Sequence, residues 1–249
     1  MVSKTTVPTL AVILAAGKGS RMKSLTLSTP KHMLTVGGKP MLEHVVTRLK
    51  DAGIDRFVIV TGYLGHIIED YFSDGSKFGV KISYVHQPEP NGTGSAVHSA
   101  VEAVGGEPFI ATFGDILAST DTYLSLISDF GASPCDALLA LNWVDDPSAG
   151  AAVYLNENSR VEKIVEKPPV GQSSTNWNQA GIFVFSHTVF DYTGRLVPSP
   201  RGEYELTDAV DSMLADGRFV RGHRMSGIWC DVGRPEDIGH ASELLEREQ

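Results

Sequence analysis

Short apolar runs alternate with segments of helical periodicity along the first half of the chain. The runs of strand length are residues 9–14, 57–60, 80–86 and 108–113. The segments with helical spacing of apolar residues are 40–51, 65–71, 92–104 and 124–130. This alternation predicts βαβ units and a mostly parallel sheet. Because parallel strands end at one edge of such a sheet, the loops that follow them should converge on one ligand-binding crevice.

The second half of the chain is less regular. Its strand-like runs are residues 137–143, 151–155, 161–165, 182–185 and 228–232. Its helical segments are 204–215 and 235–247. The sequence shows no internal repeat and no linker. We therefore expect one domain over residues 1–249, with no further domain after the last helix.

Charge and cysteine content narrow the class of protein. The formal net charge is −9, which disfavours nucleic-acid partners because they require a basic face. A small anionic ligand is still compatible, since local Lys and Arg residues override the global sign. The two distant cysteines, Cys135 and Cys230, form no metal-binding pattern and are typical of reduced thiols. Residues 1–14 lack a signal-peptide pattern and the apolar run 10–16 is too short to span a bilayer, so we expect a cytoplasmic protein with no membrane partner.

The most informative segment has the sequence LAAGKGSR, from Leu14 to Arg21, and Pro30-Lys31 follows it. Glycines after a strand let backbone amides approach phosphate oxygens closely. Arg21 and Lys31 supply cations that balance the charge of a triphosphate. The segment contains neither GxxxxGK[ST] nor GxGxxG, which excludes a P-loop and the dinucleotide-binding fingerprint.

This segment resembles the signature of the sugar-1-phosphate nucleotidyltransferase family, LxxGxGTR followed by PK, with Ser20 where Thr is common. The resemblance continues to Asp237 and covers nearly the whole chain. It implies a Rossmann-like, three-layer α/β fold with a central mixed, mostly parallel sheet. It also implies condensation of an NTP with a sugar 1-phosphate to give an NDP-sugar and pyrophosphate, with Arg21 and Lys31 as catalytic cations. The resemblance places the nucleotide against Leu14, Ala15, Ala16, Gly17, Gly19 and Ser20.

Residues 87–96, with the sequence QPEPNGTGSA, predict the loop that recognises the base. The side-chain amide of Gln87 offers a donor and an acceptor, which suits the edge of a pyrimidine. The spacing is similar to that in uridylyltransferases acting on N-acetylglucosamine 1-phosphate, and the Gln-Gly pair resembles thymidylyltransferases. We therefore expect UTP or dTTP, bound by Gln87, Gly92 and Thr93. Cytidylyl and guanylyl transfer are the nearest alternatives.

Two aspartates lie at predicted strand ends far apart in the sequence. Gly114-Asp115 follows the run 108–113, and Asp231 lies in the run 228–232. Two carboxylates from neighbouring strand ends hold Mg²⁺ when phosphates and water complete its octahedron. A lone aspartate after a strand is more often a helix cap, but both positions match the metal-binding aspartates of the family. The resemblance thus implies Mg²⁺ on Asp115 and Asp231, with Gly114 beside the nucleotide.

The segment Val165-Glu-Lys-Pro168 matches the sugar-side motif of the family. It implies that Glu166 accepts hydrogen bonds from sugar hydroxyls and that Lys167 binds the sugar phosphate as a third catalytic cation. Residues from about 1 to 135 would then form the nucleotide-binding half of the domain and residues from about 136 to 249 the sugar-binding half.

Two further strands resemble those that line the sugar pocket in the family. They contribute Gly150, Gln179 and Gly181. Relatives that use N-acetyl sugars, and several others, have Asn where Gln179 stands, so the identity of the sugar stays open. Trp229, near Asp231, is interpreted as a packing residue at the edge of the metal site.

Other classes of protein fit the sequence less well. A nicotinamide-dependent oxidoreductase needs an acidic residue after the second strand, where Thr61-Gly62 stands. A regulatory homologue that binds an NDP-sugar without turnover should have lost Arg21, Lys31 or an aspartate, and none is lost. The histidines, His32 among them, form no HxH or HExxH pattern and are interpreted as surface or core-edge residues. The sequence is also compatible with a homo-oligomer.

Overall fold

The computed structural model of the protein describes residues 7–248. The strands in this range are β1 (Leu10–Ala15), β2 (Thr35–Val36), β3 (Lys39–Pro40), β4 (Arg56–Thr61), β5 (Lys81–His86), β6 (Phe109–Phe113), β7 (Ile116–Ala118), β8 (Ala137–Trp143), β9 (Ala151–Leu155), β10 (Val161–Glu166), β11 (Trp177–Phe185), β12 (Val220–Arg224) and β13 (Trp229–Asp231). The α-helices are α1 (Met41–Asp51), α2 (Gly65–Phe72), α3 (Thr93–Ser99), α4 (Val101–Val104), α5 (Thr120–Ala132), α6 (Val189–Thr193), α7 (Leu206–Ala215) and α8 (Asp237–Arg247). The prediction that the N-terminus lacks a targeting segment falls partly on residues 1–6, outside this range.

One mixed sheet organises the molecule. Its main path runs β10-β9-β11-β6-β1-β4-β5. β1 pairs in parallel with β4 and β6, and β4 pairs in parallel with β5. β11 pairs antiparallel with β6 on one side and β8 on the other, and β12 pairs with β8. The predicted mixed sheet is confirmed, and β11 is the strand that joins the second half of the chain to the first.

Helices cover both faces of this sheet, which explains the uninterrupted apolar run of β1. Side chains of β1 alternate between two core clusters: Ala11 and Ile13 pack with α1, α2, α5 and α8, whereas Val12 and Leu14 pack with α3, α6 and α7. A strand buried on both faces needs apolar residues at every position. The three-layer arrangement is therefore encoded directly in the first strand. Among the described helices, none is long and apolar enough to cross a membrane.

Most predicted segments match the observed elements to within two residues at each end, and three depart from them further. The helix predicted over 92–104 is two helices, because Ala100 leaves the helical conformation with φ −87° and ψ 1°. The helix predicted from 124 begins at Thr120, where the Ser119 hydroxyl accepts a hydrogen bond from the Thr122 amide and caps the first turn. The strand predicted over 182–185 begins at Trp177.

A small two-stranded ladder brings the two distant aspartates together. β7 pairs antiparallel with β13, so that Asp231 lies opposite Ile116, the residue after Asp115. The Val232 amide donates to the Asp115 carbonyl at 3.0 Å. The ladder thus fixes the backbones of residues that are more than a hundred positions apart in the sequence.

Candidate active site

A cleft of about 650 Å³ opens where the parallel strands end and continues toward β9, β10 and β11. Most of the predicted site residues line it: Leu14, Ala16, Gly17, Gly19, Ser20, Arg21, Lys31, Gln87, Gly92, Thr93, Asp115, Gly150, Glu166, Lys167, Gln179, Gly181 and Asp231. The fold therefore gathers segments from both halves of the chain around one volume.

Ala15 and Gly114 are the two predicted residues that do not line the cleft. The Ala15 side chain is fully buried in the core cluster on the α1 face, because side chains alternate along β1. Gly114 is also largely buried, and its amide donates to the Leu14 carbonyl at 2.9 Å. Neither residue therefore forms part of the surface of the cleft, and their contact with a nucleotide stays a prediction.

The cleft contains a buried cation, Lys31, and two acids, Asp115 and Asp231. The Lys31 ammonium, with 6% of its side chain exposed, forms an ion pair with the Asp115 carboxylate. Burial, the largest single effect, raises the pKa of Asp115, but the charges of Lys31 and His32 and the hydrogen bonds to the carboxylate together outweigh it, so the net pKa is lowered. Partial burial and repulsion by Asp115 raise the pKa of Asp231 to about 6. The two carboxylates thus lie close together, and among the described residues only one cation, Lys31, forms an ion pair with either of them.

Arg21 approaches the same acids from the Gly-rich turn. A side chain at Gly233 would lie 3.4 Å from an Arg21 guanidinium nitrogen and 3.5 Å from an Asp231 carboxylate oxygen. Arg21 and Asp231 therefore both lie beside Gly233, two residues after the end of β13. Arg21, Lys31 and the acid pair form one electrostatic group at the end of β1 and β6.

The loop of residues 87–96, predicted to recognise the base, is organised by one buried amide. The Gln87 Nε2 group donates to Asn91 Oδ1 at 3.2 Å, to the Gly92 carbonyl at 3.3 Å and to Ser95 Oγ at 3.4 Å. With Nε2 directed into the loop, Oε1 accepts no hydrogen bond from the part of the chain that the structure describes. Gln87 is 5% exposed and lines the cleft. Of the two polar atoms of this amide, Oε1 is therefore the one without a protein partner among the described residues.

The lining of the cleft also includes Glu166 and Lys167. Side chains alternate along a strand, yet both of these neighbours line the cleft. Lys167 follows the end of β10 with φ 43°, in the left-handed region, and its amide donates to the Gly150 carbonyl at 2.7 Å. A non-glycine residue in this conformation is strained and is typical of functional sites.

A polar network centred on Arg201, a residue that the sequence did not predict, holds Glu166. Arg201 donates to the carboxylates of Glu166, at 3.0 Å, and Glu205, at 2.6 Å. The Thr207 hydroxyl donates to the second oxygen of Glu166 at 3.1 Å. Burial raises the pKa of Glu166 even though Arg201 opposes the shift. No spacing pattern marks Arg201, because its partner lies 35 positions away.

His32 is a second residue that sequence reasoning missed. The sequence predicts a surface or core-edge imidazole, but His32 is 4% exposed and lines the cleft beside Lys31. Burial lowers its pKa to about 4, so the ring is neutral near pH 7. Its ring lies against Gly114, where a side chain would be 2.9 Å from Cδ2.

The acid pair has the donor chemistry of a magnesium site that is completed by substrate. Within residues 7–248, no group of three or more His, Cys, Asp and Glu side chains is arranged to hold a metal alone. Mg²⁺ prefers oxygen ligands, and it is commonly bound through one or two carboxylates together with phosphates and water. Asp115 and Asp231 supply such a pair, so the residues present fit a divalent cation that arrives with phosphate groups.

The fold and the cleft together define a class: α/β proteins that bind a nucleotide at the ends of parallel strands and a second polar ligand beside it. The chain belongs to the nucleotidyl transferase family, whose model matches residues 10–248.

Individual relatives extend this comparison. The low-salt glycan biosynthesis nucleotidyltransferase Agl11 of Haloferax volcanii is 36% identical, over 94% of this chain and 65% of its own length. The UTP–glucose-1-phosphate uridylyltransferase AglF of the same organism is 32% identical, over 96% of this chain and 97% of its own. A Bacillus anthracis crystal structure described as a glucose-1-phosphate thymidylyltransferase superposes with a TM-score of 0.86 at 31% identity, covering 94% of both chains. The chain thus spans somewhat less than two thirds of Agl11 but nearly all of AglF.

Proposed function

We propose that this chain is a Mg²⁺-dependent nucleotidyltransferase that condenses an NTP with a sugar 1-phosphate, giving an NDP-sugar and pyrophosphate. The observation that carries the proposal is the meeting of Asp115 and Asp231, from opposite halves of the chain, beside Lys31 and Arg21. The activities named for AglF and for the Bacillus anthracis protein support the same reaction. Cys135 and Cys230 are free thiols, which suits the cytoplasm.

The two halves of the single domain take different substrates in this proposal. Residues from about 1 to 135 bind the nucleotide through the Gly-rich turn and the loop after β5. Residues from about 136 to 249 bind the sugar 1-phosphate through Gly150, Glu166 and Gly181. Glu166 is held by Arg201 and Thr207 with its carboxylate at the cleft, where it accepts hydrogen bonds from sugar hydroxyls.

The protein groups act by alignment and charge stabilisation. An oxygen of the sugar phosphate forms a bond to the α-phosphorus of the NTP as the bond from that phosphorus to the β-phosphate oxygen breaks, and pyrophosphate leaves. The attacking oxygen is already anionic, so the reaction requires no general base. Arg21 and Lys31 hold the triphosphate, and Lys167 holds the sugar phosphate in line. A Mg²⁺ ion on Asp115 and Asp231 would neutralise charge on the phosphates.

The orientation of Gln87 supports a base with an N–H on its pairing edge. Because Nε2 is used within the loop, Oε1 is the group available to a base. Uracil and thymine place N3–H at this edge, whereas cytosine places an acceptor there. UTP and dTTP are therefore favoured over CTP. Guanine also carries an N–H at the equivalent position, which makes guanylyl transfer the second candidate.

A matrix of five NTPs against several sugar 1-phosphates, scored by pyrophosphate release in Mg²⁺, tests the proposal. We expect turnover with UTP or dTTP and at least one hexose 1-phosphate. Turnover only with CTP would contradict the assignment of Gln87. Binding of NDP-sugars without pyrophosphate release from any pair would support the regulatory homologue instead.

A further inference from the structure

β11 contains a bulge at the position where it passes the cleft. Between Gln179 and Phe183, β11 advances four residues while its partner β8 advances only two, from Leu141 to Leu139. The extra residues include Ala180 and Gly181, which line the cleft. Bulges are over-represented beside active sites, where they re-aim the chain.

The Gln179 side chain forms hydrogen bonds with the backbone of this bulge. Its Oε1 accepts a hydrogen bond from the Gly181 amide at 2.8 Å, and its Nε2 donates to the Ile182 carbonyl at 3.1 Å. Both backbone groups are buried, and neither residue pairs with β8; Ile182 pairs with Thr112 of β6 instead, whereas Gly181 pairs with neither strand. An unpaired buried polar group costs about 1–3 kcal/mol, so the two hydrogen bonds of the Gln179 side-chain amide stabilise the bulge.

The bulge is attached to both strands of the aspartate ladder. The Ala180 carbonyl accepts a hydrogen bond from Trp229 Nε1 at 2.8 Å, and Trp229 lies two residues before Asp231 on β13. Gly181, with φ 78°, lies against Ile116, the residue after Asp115. A side chain at Gly181 would be 2.7 Å from Ile116 Cγ1, so the close contact requires glycine.

We propose that Gln179 is a positioning residue for the acid pair: by bracing the bulge, it fixes Trp229 and Ile116 and thereby the separation of Asp231 and Asp115. This inference rests on the proposed function of those aspartates as the cation site. It assigns Gln179 a role different from the sugar contact that its position in the sequence predicts. We assign this different role because both polar atoms of the Gln179 side-chain amide, Oε1 and Nε2, form hydrogen bonds with the backbone of β11.

Gln179→Leu and Trp229→Phe separate the two roles. Gln179→Leu removes both hydrogen bonds to the bulge at similar side-chain size, and Trp229→Phe removes the bond to Ala180. The primary measurement is the affinity of the full chain, saturated with UTP, for Mn²⁺, by electron paramagnetic resonance, because the two aspartates fit a cation that arrives with phosphate groups. We expect each variant to weaken Mn²⁺ binding about tenfold, as is typical when groups that orient metal ligands are lost. The double variant should lose less than the product of the single effects, because both act through one bulge.

Two further measurements test whether the effect is specific to the bulge and to the cation. Gln172→Leu, at an exposed glutamine outside the cleft, should match the wild type in Mn²⁺ affinity and melting temperature. In turnover assays, Gln179→Leu should raise the Mg²⁺ concentration needed for half-maximal rate and leave KM for the sugar 1-phosphate unchanged within about twofold.

The outcomes distinguish this inference from the proposed function on which it rests. If Gln179→Leu raises KM for the sugar 1-phosphate but binds Mn²⁺ normally, Gln179 is a sugar ligand and the inference is wrong. A lower melting temperature with normal Mn²⁺ affinity would make the bulge merely structural and would also overturn it. Asp115→Asn serves as the reference: if that variant also binds Mn²⁺ as the wild type does, the cation site itself is wrong. If Gln179→Leu does not fold, Trp229→Phe decides between these outcomes with the same measurements.

Discussion

Asp115 is the residue on which the charge of the cleft depends most directly, since it contacts the buried ammonium of Lys31 and lies beside Asp231. Removing its charge while keeping its shape would leave Lys31 buried without a counterion and would leave one carboxylate for the cation. We therefore predict that Asp115→Asn lowers turnover by about 10²-fold or more, the loss typical of a key electrostatic group. Pyrophosphate release measures this effect, and a separate melting curve reports any loss of stability. Turnover close to that of the wild type would remove Asp115 from the catalytic site.

Gln87 provides a prediction about selectivity at the same scale. Gln87→Leu removes the acceptor Oε1, so an N–H on the base would lose its partner. We expect the ratio of kcat/KM for UTP to that for CTP to fall by about tenfold or more, since sites that hydrogen-bond a substrate discriminate strongly against analogues without that group. The ratio is informative because loosening of the loop alone would weaken the binding of both nucleotides and leave their ratio unchanged. An unchanged ratio would place base recognition elsewhere.

At the scale of elements, the buried strands could be predicted from the sequence, whereas several short or polar strands could not. β1 and β6 are apolar at nearly every position, as burial on both faces requires. β12, with the sequence VRGHR, was missed because Arg221 and His223 are polar, and only tertiary contacts with Asp129 place them. The apolar pattern likewise placed only residues 182–185 of β11 in a strand, because Gln179 and Gly181 belong to a bulge that no local pattern predicts; only the family resemblance assigned these two residues to a strand.

The site could be predicted only where a local motif carried it. The Gly-rich turn and the Glu166-Lys167 pair are contiguous segments, and both line the cleft. Arg201 and His32 were not predicted, because their importance comes from residues that the fold brings near them rather than from their own neighbours in the sequence. Arg201, for example, reaches Glu166 only because residues 199–207 cross the end of β10.

The segment between α6 and α7 also holds the loop that we propose recognises the base. The Tyr204 amide donates to the Asn91 carbonyl at 2.8 Å, and the Gly94 amide donates to the Tyr204 carbonyl at 2.8 Å. Gly92, with φ 131°, lies so close to Tyr204 that a side chain there would overlap the Tyr204 backbone. This contact links the nucleotide end of the cleft to the segment that holds Glu166.

We therefore predict that Gly92→Ala disrupts this contact, at a cost of about 1–3 kcal/mol for overpacking and strain. KM for the NTP should rise by about tenfold, because about 1.4 kcal/mol corresponds to that factor, and the melting temperature should fall. Gly106→Ala is the matched control: Gly106 is exposed, and an added side chain there meets nothing within 4 Å. Equal KM values for the two variants would show that the contact does not shape the nucleotide site.

For the molecule as a whole, the contacts that build the site are also the contacts that join the two halves. β11 inserts between β6 and β8, β13 pairs with β7, and the Gly37 amide near β2 donates to the Ser242 hydroxyl on α8 at 3.1 Å. Arg48 on α1 forms an ion pair with Glu248 after α8. Neither half therefore keeps a complete sheet without the other.

This arrangement predicts that the chain unfolds as one cooperative unit. Its three tryptophans, Trp143, Trp177 and Trp229, all lie in the second half, so their fluorescence reports that half alone, whereas far-ultraviolet circular dichroism reports the whole chain. If β11 and β13 couple the halves, the two signals should share one midpoint in thermal and urea unfolding, as a two-state transition requires. UTP with Mg²⁺ should raise both midpoints equally, because a ligand bound across the halves stabilises the entire folded state. A fluorescence transition that precedes the circular dichroism transition would show that the sugar-binding half unfolds independently, and the proposal of a single domain would then be wrong.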